Sequence, residues 1–375
     1  LTEGDGLGLY VHPVTGEPLQ VRHSFEYRAL PTLRQFHAAR DPIRAVVGPV
    51  GSGKTAGIAI EVCYRVPMML HNRYGIDKTV WIVLRNTYPM LIDSTQRTFF
   101  EWFPPALYGA YNKNEKLYRL KYTTVDATGR PCTLEVDLMF RSCDRAGDVE
   151  KFRGYELTGY YIDESDEVEE DVKRMLKQRI GRYPKFSIWK QALRRKFPFL
   201  RQMTDAELVD EIEAKPEVYQ MKFGIETTNP PSTESPTYYT FSWQTSVPGP
   251  KPEKQPVGGH VGFWQPPYEN VANLTPGYYD QMREMYGHAR DWIERYIEGK
   301  PGVILKGKNV YTRFSRRIHE AEKNIPWNGK EHLCRGWDHT GHHPAMVIVQ
   351  QPAPRQIQVL KEFYSDHENI VTFGK

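Results

Sequence analysis

The sequence predicts an α/β fold, a mainly parallel sheet flanked by helices. Three observations carry that prediction. Ile43-Arg-Ala-Val-Val47 reads as a buried strand that runs through Gly48-Pro-Val-Gly-Ser-Gly-Lys54-Thr55 into a helical stretch, Ala56 to Tyr64. Lys78-Thr-Val-Trp-Ile-Val-Leu84 is apolar throughout and flanked by charge, as a central strand of a parallel sheet requires. Tyr155 to Ile162 forms a further strand that ends in Asp163-Glu164.

The first of these carries chemistry. Gly48 to Thr55 fits G-x-x-x-x-G-K-[ST], the phosphate-binding P-loop, in its strand–loop–helix setting. Backbone N–H groups of Gly51, Ser52 and Gly53 would converge on phosphate oxygens where the helix dipole favours an anion. Lys54 would reach the β/γ-phosphates, and the Thr55 hydroxyl would ligate Mg²⁺. A strand that ends in Asp-Glu fits the companion Walker B arrangement. Asp163 would then hold Mg²⁺ through water, and Glu164 would polarise the attacking water.

Composition bounds the rest. With 375 residues, 39% apolar and 26% charged, the chain can bury a core and is long enough for two domains. No apolar run approaches the roughly 20 residues that span a bilayer, and no signal-peptide pattern opens the chain. Cys63, Cys132, Cys143 and Cys334 form no C-x-x-C pair and read as reduced thiols, without a zinc site or a disulfide framework. The net charge of +4 is compatible with DNA binding without arguing for it. The chain opens on Leu1 rather than Met, so residues could precede it.

In order along the chain, residues 1–30 read as an extended arm with turns. Gln35 lies just upstream of the P-loop strand, where a glutamine can pair with an adenine edge or simply face solvent. Leu91 to Trp102 reads as a helix. Leu117–Val125 and Cys132–Phe140 alternate as a hairpin around Ala127-Thr-Gly-Arg-Pro131. After Walker B, a helix over 168–182 would return across the sheet. Residues 183–220 read as a helical insertion, in which Arg194-Arg-Lys196 gives either a solvated face or a DNA contact. Val218 to Glu226 reads as a strand ending at Thr227-Thr228-Asn229-Pro230, whose polar groups could sense hydrolysis. Residues 230–276 are dominated by loop formers, and 276–297 reads as one helix ended by Gly299. Leu333 to Asp338 and Gln356 to Tyr364 read as strand-like pieces of a new domain.

Together these residues resemble the large subunit of a tailed-phage DNA-packaging terminase, from about Leu30 to about Tyr364. Gln35 matches the family's adenine-contacting element and Gly48–Thr55 its Walker A. Leu84-Arg85 resembles the segment after the second strand. Lys151-Phe-Arg153-Gly154 resembles the element before Walker B whose arginine acts in trans, with Arg85 and Arg141 as rivals for that role. Tyr160–Glu164 matches Walker B, and Thr227–Pro230 matches the coupling motif, with Asn229 at the nucleotide. Gly336-Trp-Asp338 resembles the first strand of an RNase H-like nuclease, with Asp338 as a catalytic metal ligand and Glu362 a weaker candidate.

The resemblance implies a P-loop NTPase core of RecA/ASCE-like type over 31–230, a small lid subdomain over 231–305, a linker over 306–330 and the first strands of the nuclease domain over 331–375. It implies ATP and Mg²⁺, with Mg²⁺ or Mn²⁺ for the nuclease. The implied partners are double-stranded DNA, a portal protein, a small terminase subunit and sister subunits in a homo-oligomeric ring. Work in the host cytoplasm, transiently at the procapsid portal and away from membranes, goes with that. The family's later nuclease acids fall beyond Lys375, so the chain as given is expected to hydrolyse ATP without cutting DNA. The connection over 183–220 is longer than the family's usual one. A RecA-like helicase or translocase, or another P-loop ATPase, is the alternative reading.

Overall fold

The glycine-rich loop leaves the carboxyl end of β3 (Ile43–Val47), a strand buried along its whole length. In the computed structural model, residues 5–11, 18–24, 26–144, 146–215, 218–244, 256–287, 289–302, 319, 321, 323–338, 345–354 and 356–364 are described. The chain divides into two compact units, Leu1–Ile304 and Leu305–Lys375.

The first unit is built on a nine-stranded sheet. Its spatial order is β10 (Ser242–Trp243), β11 (His260–Trp264), β3, β9 (Phe223–Thr228), β8 (Gly159–Asp163), β4 (Lys78–Arg85), β7 (Pro131–Ser142), β6 (Leu117–Val125) and β5 (Gly109–Asn112). Pairing is parallel from β10 to β7 and antiparallel for β6 and β5. The strand β9 lies between the P-loop strand and the Walker B strand. The carboxyl ends of β3, β9 and β8 therefore lie side by side, where open α/β sheets bind their ligands. At the opposite, amino end of these strands, close spacing needs Gly224. A Cβ at that position would meet Ile43 Cδ1 at 2.5 Å and the Tyr160 ring at 2.7 Å.

The residues expected to form an extended arm hold an antiparallel pair, β1 (Asp5–Val11) and β2 (Pro18–Ser24). The helix α1 (Pro31–Ala38) precedes β3. After the P-loop, α2 (Lys54–Ile60) passes through one π-helical turn, Glu61–Arg65, and continues as α3 (Val66–Tyr74) to a left-handed cap at Gly75. This helix is longer than predicted because Val62, Val66, Leu70 and Tyr74 keep an i,i+4 buried stripe past Tyr64. A short turn α4 (Tyr88–Met90), a π turn Leu91–Gln96 and α5 (Arg97–Trp102) follow β4, then α6 (Pro105–Tyr108). The predicted hairpin is present as β6 and β7, closed by Asp126, whose Oδ1 accepts from the N–H groups of Thr128 and Arg130.

Three expectations are corrected. The helix after Walker B is only α7 (Glu170–Lys177), because the chain turns back to bridge Leu157 with Ile180 and Gly181 adopts φ +74°. The strand expected over Val218–Glu226 begins at Phe223, since Val218 and Tyr219 return their N–H groups to Lys215. The single helix over 276–297 is two, α11 (Tyr278–Tyr286) and α12 (Arg290–Tyr296), with Gly287 after the first.

The insertion contains α8 (Phe186–Lys196) and α9 (Asp205–Ala214), the latter opened by a Thr204–Glu207 capping box. Its arginines are committed internally. Arg194 donates to the Met203 carbonyl and pairs with Asp205, and Arg195 donates to the Tyr74 carbonyl.

The stretch expected as a lid starts instead with α10 (Pro236–Thr240) and two strands of the main sheet, β10 and β11. The described residues after Trp264 contribute no further strand to that sheet. The expected linker lies largely outside the described residues. Among those described, no helix is long and apolar enough to cross a membrane, Cys63, Cys132 and Cys143 are buried free thiols, and Cys334 is an exposed one.

The second unit is an antiparallel meander of β12 (Cys334–Asp338), β13 (Ala345–Ala353) and β14 (Gln356–Tyr364). Asp338 ends β12 opposite Ala345, and Glu362 lies on β14 opposite Val347. The side chain of Asp338 lies outside the described residues.

Candidate active site

The P-loop cavity, about 340 Å³, is lined by Gly51 to Ala56 together with Arg85, Asp163, Glu164, Asn229 and Asn270. It thus gathers Gly51, Ser52, Gly53, Lys54, Thr55, Asp163, Glu164 and Asn229 from the residues singled out by sequence. Left-handed φ values at Gly51 (+73°) and Gly53 (+78°) turn the loop, and these are conformations that suit glycine. The Gly48 N–H donates to the Thr228 carbonyl at 3.3 Å, tying the loop to the end of β9.

Lys54 is buried. Its ammonium donates to the Gly48 carbonyl (2.8 Å), the Pro49 carbonyl (3.0 Å), Ser52 Oγ (3.1 Å) and Asn229 Oδ1 (3.4 Å). Burial lowers its pKa, against the pull of Glu164 and Asp163.

Thr227 and Thr228, which close β9, and Asn229 just after them each grip one Walker B acid. Thr227 Oγ1 donates to Asp163 Oδ1 at 3.0 Å. Thr228 Oγ1 donates to Glu164 Oε2 at 3.3 Å. Asn229 donates its backbone N–H to Glu164 Oε2 (3.2 Å) and its amide to Glu164 Oε1 (3.0 Å). Asn229 therefore bridges the P-loop lysine and Glu164. This follows from the sheet order, since β9 runs between β3 and β8.

Glu164 sits at φ 53°, ψ 55°, a left-handed conformation that costs a glutamate on the order of 1–3 kcal/mol and gathers at functional sites. Burial raises its pKa, and the adjacent Asp163 adds to that; Lys54, the Asn229 N–H and Arg85 oppose it. A carboxyl raised in this way is suited to general-base work near neutral pH.

Asp163 is fixed by a hydroxyl that sequence reasoning missed. Thr95, buried in the π turn before α5, donates to Asp163 Oδ2 at 2.5 Å. Thr55 and Asp163 offer the hard oxygen atoms that Mg²⁺ takes, and both line the cavity. Among the described residues no group of three His, Cys, Asp or Glu side chains could hold an ion alone. A Mg²⁺ completed by phosphate oxygens and water needs no such group.

The arginines separate clearly. Arg85 lies in the cavity with Nη1 3.7 Å from Asp163 Oδ2. Arg153 is outside it, 66% exposed and paired with Glu150 at 2.8 Å. Arg141 is held by Tyr155 Oη and by the carbonyls of Glu115 and Phe140.

Gln35 is not brought to the P-loop cavity. It lines a different cavity, with Asp41, Ser242 and His260, whereas Leu33 of the same helix borders the P-loop residues Gly53 and Ala56. Two residues on a helix differ by about 200°, so the two side chains point to opposite sides.

A second set missed by sequence comes from the segment after β11 and holds the P-loop by its backbone. Gln265 Nε2 donates to the Ser52 carbonyl (2.8 Å), Asn270 Nδ2 to that of Gly51 (2.6 Å) and Tyr279 Oη to that of Val50 (2.9 Å). The Val50 N–H donates to the Tyr296 carbonyl (2.9 Å), and Arg295 next to it reaches Asp166 (3.3 Å) in the turn after Glu164.

No family model matches the sequence, and no curated protein does. Among solved structures the chain is similar to the large terminase from a thermophilic bacteriophage, at 12% identity over 87% of this chain and TM-score 0.42. It spans 63% of that protein's length. The same large terminase in complex with ADP is matched at 11% identity over 90% of this chain and 68% of that one, TM-score 0.45. The large terminase ATPase domain from a Thermus phage is matched at 12% identity over 73% of this chain and 94% of that one, TM-score 0.39.

Proposed function

We propose that the chain carries the ATPase motor of a terminase large subunit, which drives double-stranded DNA into a preformed procapsid. The observation that carries hydrolysis is the Asn229 bridge between Lys54 and Glu164, in one cavity with Thr55, Asp163 and Arg85. Packaging rests on the order of the motifs: Walker A, Leu84-Arg85, Lys151–Gly154, Walker B, Thr227–Pro230, then Gly336-Trp-Asp338.

Phosphoryl transfer asks the protein for positioning and charge stabilisation more than covalent chemistry. Lys54 exchanges its loop carbonyls for β/γ-phosphate oxygens. Thr55 and Asp163 would hold Mg²⁺, which would neutralise charge on those oxygens. Glu164 accepts hydrogen bonding from the attacking water and aligns it. Arg85 faces the charge that develops on the transferred group. Arg153, exposed, serves the neighbouring subunit of a homo-oligomeric ring as its arginine finger.

A change at the γ-phosphate alters the acceptors open to Lys54, and Asn229 passes that change to Glu164. Residues 265–302 receive it through their bonds to the P-loop. DNA is gripped through its phosphates, so binding is insensitive to sequence and weakened by salt. The portal protein and a small terminase subunit are the proposed docking partners, in the host cytoplasm at the procapsid. Asp338 is proposed as the first metal-binding acid of an RNase H-like endonuclease that uses Mg²⁺ or Mn²⁺.

The test is phosphate release from ATP with linear duplex DNA and empty proheads, scored with nuclease-protected DNA. ATP-dependent protection supports the proposal. Hydrolysis with DNA stimulation but no encapsidation would favour a helicase or translocase of another kind.

A further inference from the structure

Tyr161 is a core residue with one atom more than the core requires. Its side chain is buried, and its ring lies against Phe99 of α5, with centroids 6.0 Å apart and planes at 27°. A phenylalanine would fill that place as well. The hydroxyl is taken out of water, which is unfavourable unless hydrogen bonds replace those lost. It finds them at the candidate site. Tyr161 Oη lies 2.8 Å from Thr227 Oγ1 at the end of β9. The Thr55 hydroxyl, at the start of α2, is bonded to the same phenol. Tyr161 and Asp163 are two residues apart on β8, so their side chains share one face of the sheet.

The direction of these bonds follows from Asp163. A carboxylate only accepts, and each hydroxyl has one proton to give. Thr95 gives its proton to Asp163 Oδ2, and Thr227 gives its own to Oδ1. Thr227 has none left for Tyr161 and must accept from it. Tyr161, having given its proton to Thr227, can only accept from Thr55. The series therefore runs one way, from Thr55 through Tyr161 and Thr227 to Asp163. With its proton turned into the protein, the Thr55 oxygen keeps its lone pairs for the cavity it lines. A hydroxyl binds a hard cation through those lone pairs, and a proton turned towards the cavity would oppose it.

We infer that Tyr161 is a positioning residue for the metal site, whose phenol takes the Thr55 proton and ties Thr55 and Asp163 into one hydrogen-bonded series. The inference rests on the hydrolytic reading above and adds to it a residue that acts through the proposed Mg²⁺ ligands.

The experiment measures ATP binding to the full chain by calorimetry, once with excess Mg²⁺ and once with EDTA, and takes the ratio of the two affinities. It also measures the Mg²⁺ concentration at half-maximal hydrolysis. Tyr161→Phe is expected to lower the ratio, and to raise the half-maximal Mg²⁺ concentration, by about tenfold. Affinity in EDTA should change far less. In a Thr55→Ala background the same substitution should lower the ratio no further. Thr227→Val interrupts the series at its next hydroxyl and leaves the phenol in place. It should lower the ratio too, which gives a result even where Tyr161→Phe does not fold. An unchanged ratio in either variant overturns the inference. So does a loss that the EDTA measurement shares in full, or a full further loss in the Thr55→Ala background. An unmodified chain that binds no ATP, or binds it without regard to Mg²⁺, would instead strike the reading beneath it, and the inference with it.

Discussion

Two enclosed glutamates in the same unit are tuned in opposite directions. Glu164 closes the Walker B strand, where burial and its neighbour Asp163 raise its pKa. Glu61 lies in the π turn of the P-loop helix. Burial there would raise its pKa too, yet Arg44, His37 and Arg65 bring it down to about 2. Arg44 donates to Glu61 Oε1 at 2.8 Å and His37 Nδ1 lies 2.7 Å from Oε2. Burial lowers the pKa of His37, so it is read as neutral, donating to Glu61 and accepting from Tyr27. The difference lies in the partners. Glu61 has a buried guanidinium to itself, whereas Glu164 is held by neutral donors beside a second carboxylate. One carboxylate is pinned for the fold, and the other is left ready to take a proton.

The largest test of this contrast removes the proposed proton acceptor. Glu164→Gln should cut ATP hydrolysis by about 10²–10⁴, read as phosphate release, while changing Tm far less than the matching change at Glu61. The next removes the structural charge. Glu61→Gln leaves Arg44 buried without its counter-charge and should cost about 3–5 kcal/mol of stability, read by chemical denaturation. The pKa of Glu61 gives a similar figure. A fall from 4.5 to about 2, at ~1.4 kcal/mol per tenfold, is worth about 3 kcal/mol.

Acid should separate the two groups. Glu61 has a depressed pKa, so its contribution is present above pH 4.5 and fades as pH falls towards 2. Glu164 has a raised pKa, so its protonated form favours the fold, and that benefit disappears as pH rises through its folded value. If Glu164 is the base of the proposed hydrolysis, it must be ionised, and the rate should decline at a pH where the Tm supported by Glu61 still holds. A Tm that falls in step with the rate would break the contrast. The smallest effect is expected at the half-exposed third partner: Arg65→Ala should cost about 0.5 kcal/mol.

Much of the candidate site was legible because its signal is local. The spacing from Gly48 to Thr55, the acids at the end of β8 and the hydroxyls at the end of β9 each lie within a few residues of a strand end. Reading strand ends as one edge was enough to bring Lys54, Asp163, Glu164 and Asn229 together. What failed needed tertiary information. The side of α1 that Gln35 occupies depends on how α1 packs. The strand β11 lies in a stretch dominated by loop formers and pairs with β3, more than 200 residues earlier in the chain. Its cue was present in His260-Val-Gly-Phe-Trp264, where Gly262 leaves room for Trp243. Arg44 was equally visible, an arginine inside an apolar strand, but nothing near it in sequence announced Glu61. Thr95 is positioned by an extra residue in a helical turn, which periodicity alone does not reveal.

The backbone bonds from Gln265, Asn270, Tyr279 and Tyr296 make the phosphate loop part of a mechanical circuit. A force borne by residues 265–296 is also borne by Val50, Gly51 and Ser52. Coupling free energies are reciprocal. If nucleotide binding shifts that segment, then load on the segment shifts nucleotide affinity by the same free energy. If the chain is the proposed motor, it would slow under tension through its grip on fuel, before the chemistry of the bond itself is touched.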